Sequence, residues 1–352
     1  MIFNIGRKKI SENSKCFIVG EISANHNHSL ENAKKLIRLA AKAGFDAVKL
    51  QTYKPDTITL NSNKKDFLIK SKSPWVKKKN LWSLYQKAFT PWDWHHLLFQ
   101  EAKKNKILIF SSPFDETAVD FLESLKCPLY KIASPEINHI PLIKKIAKTG
   151  KPVILSTGLS TFNDVKTAIK VLKKNNTKNI IILKCSSAYP APFEELNLLT
   201  IKDYKKKFNV LSGYSDHTSS ELASIVAVSC GAKIIEKHIV LEKMNTVDSF
   251  FSLKSNMFKS YVNKIRTAEK SLGKVNYNIT KSCFVHLQGK RSIYISKKIQ
   301  KGEKFDRNNI KVVRPSYGLN PKYFESVIGK ISLADLDEGS RLMPQHIQNF
   351  KK

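Results

Sequence analysis

Apolar residues come in short, dense runs along this chain, and the stretches between them carry apolar residues at helical spacing. The runs are CFIVGE (16–21), DAVKLQ (46–51), ILIFSS (107–112), PLYKIAS (128–134), PVILST (152–157), IIILKCS (180–186), NVLSGYS (209–215) and KIIEKHI (233–239). Each is short, apolar and rich in β-branched residues, the signature of a strand buried on both faces. Between the first two, SLENAKKLIRLAAKAG puts Leu30, Ala33, Ile37, Ala40 and Ala41 on one helical face, with Ser29 as N-cap and Gly44 as stop. Eight strand–helix units in about 250 residues predict parallel strands with right-handed crossovers, closed into a (β/α)8 TIM barrel. A doubly wound sheet is the competing α/β arrangement. It usually carries a Gly-rich phosphate loop after its first strand, and GEISANHN is not one. The aromatic stretch TPWDWHHLLF (90–99) reads as a helix start rather than a cofactor-stacking box. Thr90 would be its N-cap, Pro91 its first residue, and Trp94 and Leu98 part of the core.

The barrel pattern, residues 1–273, ends near Gly273. Residues 274–287 read as a linker, and 288–352 as a second domain of short strands and loops, small enough to need help from a neighbour. An apolar content of 41% suffices for a sizeable core. The longest aliphatic run, Ile180 to Leu183, is too short to span a bilayer, and MIFNIGRKK has no apolar segment of the signal-peptide kind. Five cysteines without a CxxC pair point to reduced thiols in a cytoplasm. The net charge of +32 comes from lysines spread along the whole chain, with no basic tail or reader motif. That is a solvated surface that helps attract a small anion, not a nucleic-acid groove.

Active sites of TIM barrels lie at the C-terminal ends of the strands. Here those ends carry Glu21, Lys49, Ser112, Lys131, Ser134 and Glu136, followed by Ser156, Lys184, Ser187 and Tyr189. The last two strands end in Ser215-Asp216-His217 and Glu236-Lys237-His238. Any one of these alone would be an ordinary satisfied polar residue. Charges at so many strand ends are costly to bury unless they are paired or bind something. Lys49, Lys131 and Lys184 among hydroxyls suit a doubly anionic ligand, such as one with a phosphate and a carboxylate. His217 and His238, on adjacent strands with Asp216 and Glu236 beside them, suit a divalent metal. Mn²⁺ fits better than closed tetrahedral zinc, with Mg²⁺ or Co²⁺ as alternatives.

The stretches GEISANHNHSLENA, AGFDAVKLQTY, FSSPFDETAVDFL, YKIASPEI, KPVILSTG, KCSSAYPAP, GYSDHT and IIEKHI resemble the sialic-acid synthase family. VVRPSYGLNPKY resembles that family's antifreeze-like (SAF) domain. The resemblance implies an enzyme that condenses phosphoenolpyruvate with an acetamido sugar. It assigns His217 and His238 to the metal, and Lys49, Lys131, Ser134, Ser187 and Ser215 to phosphoenolpyruvate, with Ser112 and Ser156 contributing. It places Glu21, Tyr189 and Asp248 at the sugar, Glu21 handling protons. It also implies a domain-swapped homodimer in which Arg314 reaches the partner subunit's barrel. TPWDWH, SSPFDETAVDFL, CSSAYPAP and VDSFFSL look most like the pseudaminic acid branch. Ser187 and Thr246-Val247-Asp248 depart from the sialic-acid pattern of Asn and Gly-Pro-Asp, which favours a different acceptor sugar. N-acetylneuraminic or legionaminic acid synthesis is the alternative. His28, an oddity in NHNH, is expected to face solvent.

Overall fold

A β-hairpin that the apolar pattern did not announce starts the chain. In this computed structural model, which describes residues 1–5, 8–70, 72–77 and 79–351, β1 (Ile2–Ile5) pairs antiparallel with β2 (Lys8–Ser11). Its inward residues Phe3, Ile5 and Ile10 are buried in the same core as Phe17 and Val19. Alternation over only four residues per strand is too brief to stand out in a sequence.

The eight predicted strands follow as β3 (Phe17–Glu21), β4 (Ala47–Thr52), β5 (Leu108–Pro113), β6 (Tyr130–Ile132), β7 (Val153–Ser156), β8 (Ile180–Cys185), β9 (Leu211–Asp216) and β10 (Ile234–Val240). Each pairs in parallel with the next, and β10 pairs with both β9 and β3, which closes the sheet. The result is the expected eight-stranded barrel. Every residue of β9 and β10 is buried, as a strand with a barrel interior on one face and helices on the other requires. A short strand β11 (Leu253–Lys254) adds to the end of β10 and returns the loop before it to the barrel mouth.

The outer helices are α1 (Leu30–Ala43), α2 (Pro55–Ile58), α3 (Leu81–Ala88), α4 (Trp92–Lys104), α5 (Glu116–Ser124), α6 (Ile140–Lys148), α7 (Phe162–Lys174), α8 (Thr200–Phe208), α9 (Leu222–Ser229) and α10 (Phe258–Leu272). Ser29 caps α1 by accepting from the Asn32 amide, and Gly44 ends it at φ 96°, a conformation that favours glycine. α4 corrects one expectation. Pro91, not Thr90, is the residue before its first turn, and Thr90 instead sits 3.3 Å from His26 Nε2. That buried histidine needs a partner more than an exposed helix end does. Leu98 is fully buried and Trp94 half-buried, while His28 is exposed, as expected.

The chain divides into two compact units, Met1–Gly273 and Lys274–Lys352. A 3-10 helix, Lys281–Gly289, runs from the stretch read as a linker, 274–287, into the second domain. The second unit pairs β12 (Ser292–Ile295) with β13 (Ile310–Val313) around its own small core, which includes Ile293, Phe305 and Leu342, and contains a one-turn helix, α11 (Phe324–Val327). Among the described residues, no helix is long and apolar enough to cross a membrane.

Candidate active site

Strand periodicity sorts the polar residues at the barrel mouth. Residues two apart share a face, so Ser215 and His217 point one way and Asp216 the other; Glu236 and His238 likewise oppose Lys237. The pairing register sets Ser215 beside Glu236, Asp216 beside Lys237, and Glu21 between His238 and Lys49. Asp216 and Lys237 therefore leave the barrel interior together. Lys237 Nζ lies 3.1 Å from Asp216 and donates to the Thr218 carbonyl at 2.5 Å. Asp216 accepts from the Thr218 amide and from Ser224. The expectation that Asp216 flanks a metal is thus corrected: it braces the loop after β9. Lys184 also turns outward, level with Tyr214 on β9, and does not join the two inward lysines.

Those two are buried and surrounded by carboxylates. Lys49 Nζ contacts Glu21, donates to Ser112 Oγ at 3.2 Å and lies 3.9 Å from Glu236. Lys131 Nζ donates to Glu236 Oε1 at 3.1 Å, and Ser215 Oγ donates to the same oxygen at 3.1 Å. Burial pushes the Glu21 carboxyl up to about 7 against the pull of Lys49. Burial acts the same way on Glu236, but Lys131 and Lys49 outweigh it and hold the carboxylate below its usual range. Burial disfavours charge on Lys49 too, yet Glu21 and Glu236 raise it overall. Lys49 thus stays charged although it is buried, and Lys131 sits beside it on the same carboxylate, Glu236.

His217 and His238 meet edge to face, with ring centroids 5.3 Å apart. His217 Nδ1 donates to the Ser186 carbonyl at 2.6 Å, which leaves Nε2 with its lone pair. Burial lowers His217 to about 4 and holds His238 well below its ordinary value, so both rings are neutral at pH 7. His238 Nδ1 is buried without a hydrogen-bond partner, 4.0 Å from Asp248 Oδ2. Neutral imidazoles, one held in a fixed tautomer, are what a divalent metal needs as ligands. No group of three or more His, Cys, Asp or Glu side chains surrounds a single point among the described residues. The protein side of such a site would therefore be two nitrogens, with positions left over for water or substrate.

These groups open into a cavity of about 440 Å³. The structure brings Lys49, Lys131, Ser134, Ser156, Ser215 and both histidines to its wall, together with Tyr189 and Asp248. Ser134 Oγ already accepts from the Leu159 amide at 2.6 Å. Ser156 Oγ is buried and partnerless on that wall, and so are Glu136 Oε2 and Glu236 Oε2. Buried polar atoms are normally paired, so this cluster marks where a polar ligand docks. Glu21 and Ser112 stand one layer behind, on Lys49. Ser187 lies against Gly158, where any Cβ would come 2.3 Å from its Oγ. Tyr189 packs its ring 4.6 Å from that of His217. Asp248 accepts from Ser23 Oγ at 2.5 Å, and burial raises its carboxyl. Arg314 is exposed in the second unit, just after β13.

Sequence reasoning missed the aromatic part of this cavity's lining. Tyr53, Trp75, Tyr85 and Phe251 line it, and three of them come from the long insertion between β4 and β5. Nothing in the strand pattern points to residues in a loop. The presence of aromatic residues in an insertion at the catalytic end of a barrel was the only available signal.

Residues 36–277 match the NeuB family and residues 290–348 match the SAF domain. Two similar relatives are both pseudaminic acid synthases. The protein from Campylobacter jejuni is 44% identical over 93% of this chain and 95% of its own length. The one from Helicobacter pylori is 45% identical over 89% and 92%. A crystal structure of the spore coat polysaccharide biosynthesis protein SpsE from Bacillus subtilis superposes with a TM-score of 0.67, covering 100% of both chains at 31% identity.

Proposed function

Because the chain belongs to the NeuB family, we propose that it is a pseudaminic acid synthase, a transferase that joins phosphoenolpyruvate to 2,4-diacetamido-2,4,6-trideoxy-L-altrose. The observation that carries this reading is the pair of buried lysines beside two neutral histidines in one cavity. Lys49 and Lys131 offset the charge of the phosphate and carboxylate, and Ser134, Ser156 and Ser215 offer hydroxyls to the same ligand, with Ser112 and Ser187 behind them. The sugar's open-chain aldehyde lies toward His217 and His238, and Tyr189 and Asp248 contact its remaining length. Carbon 3 of phosphoenolpyruvate forms a bond to the aldehyde carbon, water adds at carbon 2, and phosphate leaves with cleavage of its C–O bond. Glu21, poised near neutrality one layer behind the cavity, exchanges protons with the site through its contact with Lys49. His217 and His238 would hold a divalent cation, Mn²⁺ foremost, which would supply Lewis-acid polarisation of the aldehyde.

The working unit in this reading is a homodimer in which Arg314 of one protomer contacts the sugar in its partner's barrel. Exposed apolar side chains in residues 274–289 support it: Val275 and Tyr277 are 86% and 97% exposed and would gain from cover. Five unpaired cysteines suit a cytoplasmic enzyme. Phosphate release and product identification with a panel of 2,4-diacetamido and 2-acetamido hexoses test the assignment. A clear preference for N-acetylmannosamine, or for the legionaminic acid precursor, overturns it. Chelation by EDTA should abolish turnover and Mn²⁺ should restore it; full activity after complete chelation removes the metal from the reading.

A further inference from the structure

The two walls of the site cavity are chemically unlike. Strand ends supply the polar wall, with Lys49, Lys131 and the histidines. A second part of the lining comes from residues 53–88, the insertion that follows β4. It contributes Tyr53, Ile58, Trp75, Leu84, Tyr85 and Ala88. Leu84 and Ala88 are one turn apart on α3, so they present one apolar face to the cavity. The wall is braced from several sides. Tyr53 packs edge-on against Tyr85 at 5.7 Å and Phe114 at 5.1 Å. Trp75 Nε1 donates to the Val247 carbonyl at 3.0 Å, and its ring lies 5.3 Å from that of Tyr189.

A ligand that carries a phosphate and a carboxylate has no reason to occupy an aliphatic surface, so phosphoenolpyruvate takes the lysine side and the acceptor sugar takes this one. With its aldehyde carbon near His217 and His238, an open-chain hexose points its far carbon away from them. A terminal hydroxyl set against Ile58, Leu84 and Ala88 would meet no hydrogen-bond partner from those side chains, whereas a methyl group would lose nothing and be removed from water. Resting on the function proposed above, we infer that Ile58, Leu84 and Ala88 form an apolar subsite for the acceptor's carbon 6, selecting a 6-deoxy sugar over its 6-hydroxy counterpart. Apolar pockets reject an added hydroxyl only moderately, by roughly 10- to 100-fold in kcat/KM.

The test compares kcat/KM for the 6-deoxy and 6-hydroxy forms of one acceptor, all other stereocentres unchanged. Wild type should favour the deoxy form by about 10- to 100-fold. Ile58→Thr and Leu84→Asn each place a polar group in the subsite. They should shrink that ratio severalfold and leave KM for phosphoenolpyruvate unchanged. Ile58 is half-buried, so its variant decides the matter if the more buried Leu84 variant melts early. A wild-type ratio near one, or folded variants that keep the full preference, overturns the subsite. Should the enzyme prefer an acceptor of other stereochemistry, the function assignment fails separately. The deoxy-to-hydroxy ratio on that acceptor then decides the subsite.

Discussion

Lys131 Nζ lies 3.1 Å from Glu236 Oε1, so an incoming anion must share the ammonium with a carboxylate already in place. Removing one charge-assisted contact from a buried anion site costs about 1.5–3 kcal/mol. Lys131→Ala should therefore raise KM for phosphoenolpyruvate by roughly 10- to 100-fold while the sugar's KM changes little; equal rises in both would remove Lys131 from the anion site. Glu136 behaves differently. Burial raises its carboxyl to about 7, with Lys131 and Lys49 pulling the other way, and Tyr85 and Tyr189 are the other titratable groups near it. An acid whose folded value lies above its unfolded one holds its proton longer in the native state. Its effect is neutral below the unfolded value, grows destabilising as pH rises from there to about 7, and levels off above. Glu136→Gln, which cannot ionise, should thus stabilise the ligand-free protein at about pH 8 by roughly 1–3 kcal/mol and hardly at all at about pH 4. Melting curves for both proteins at the two pH values check the sign, and a gain of equal size at both would refute it.

Elements at the barrel mouth are held by residues that touch no substrate. Asn25, fully buried after β3, donates Nδ2 to the Ile239 carbonyl at 2.9 Å and to Ser252 Oγ at 2.9 Å, and accepts from Thr246 Oγ1. It thus ties the loop that carries Asp248 and Phe251 to the end of β10. Asn25→Ala strands these partners at a cost of about 1–3 kcal/mol each where they remain buried. The expected result is a lower melting temperature and a raised KM for the sugar, with the KM for phosphoenolpyruvate close to wild type, because the lysines sit on other strands. An unchanged sugar KM in a clearly destabilised variant would leave Asn25 a purely structural residue. The aromatic insertion after β4 is the other such element. Its braced ring contacts explain how a loop can hold one side of a cavity in a defined shape.

At the scale of the whole molecule, the proposed dimer would assign Arg314 to the partner's barrel. The proposed dimer makes a definite prediction for mixtures of two inactive variants, Arg314→Ala and Glu21→Ala, under conditions that exchange subunits. If each site takes its arginine from the partner, a heterodimer has one site with both lesions and one with neither. Activity should then rise towards half that of a wild-type dimer. If the arginine acts within its own chain, every site keeps a lesion and the mixture stays inactive. Subunit exchange is confirmed independently by differently tagged chains. The SAF unit has its own core of Ile293, Phe305 and Leu342, so the arginine variant is expected to leave that fold intact.

The sequence alone determined the barrel, because a strand buried on both faces must be a short apolar run, and eight such runs separated by amphipathic helices admit few closures. It also determined that polar groups gather at the strand ends, since no other explanation covers Lys49, Lys131, His217 and His238 together. Which neighbours face inward was a matter for register. Asp216 looked as suitable beside a metal as Glu236 until the pairing turned it outward to Lys237. Likewise Lys184 left the anion site through a shift of one position along β8. The N-terminal hairpin, the role of Thr90 and the apolar cavity wall depend on contacts between residues far apart in the chain. No local pattern records which distant surface a loop residue meets, so only the tertiary structure decided them.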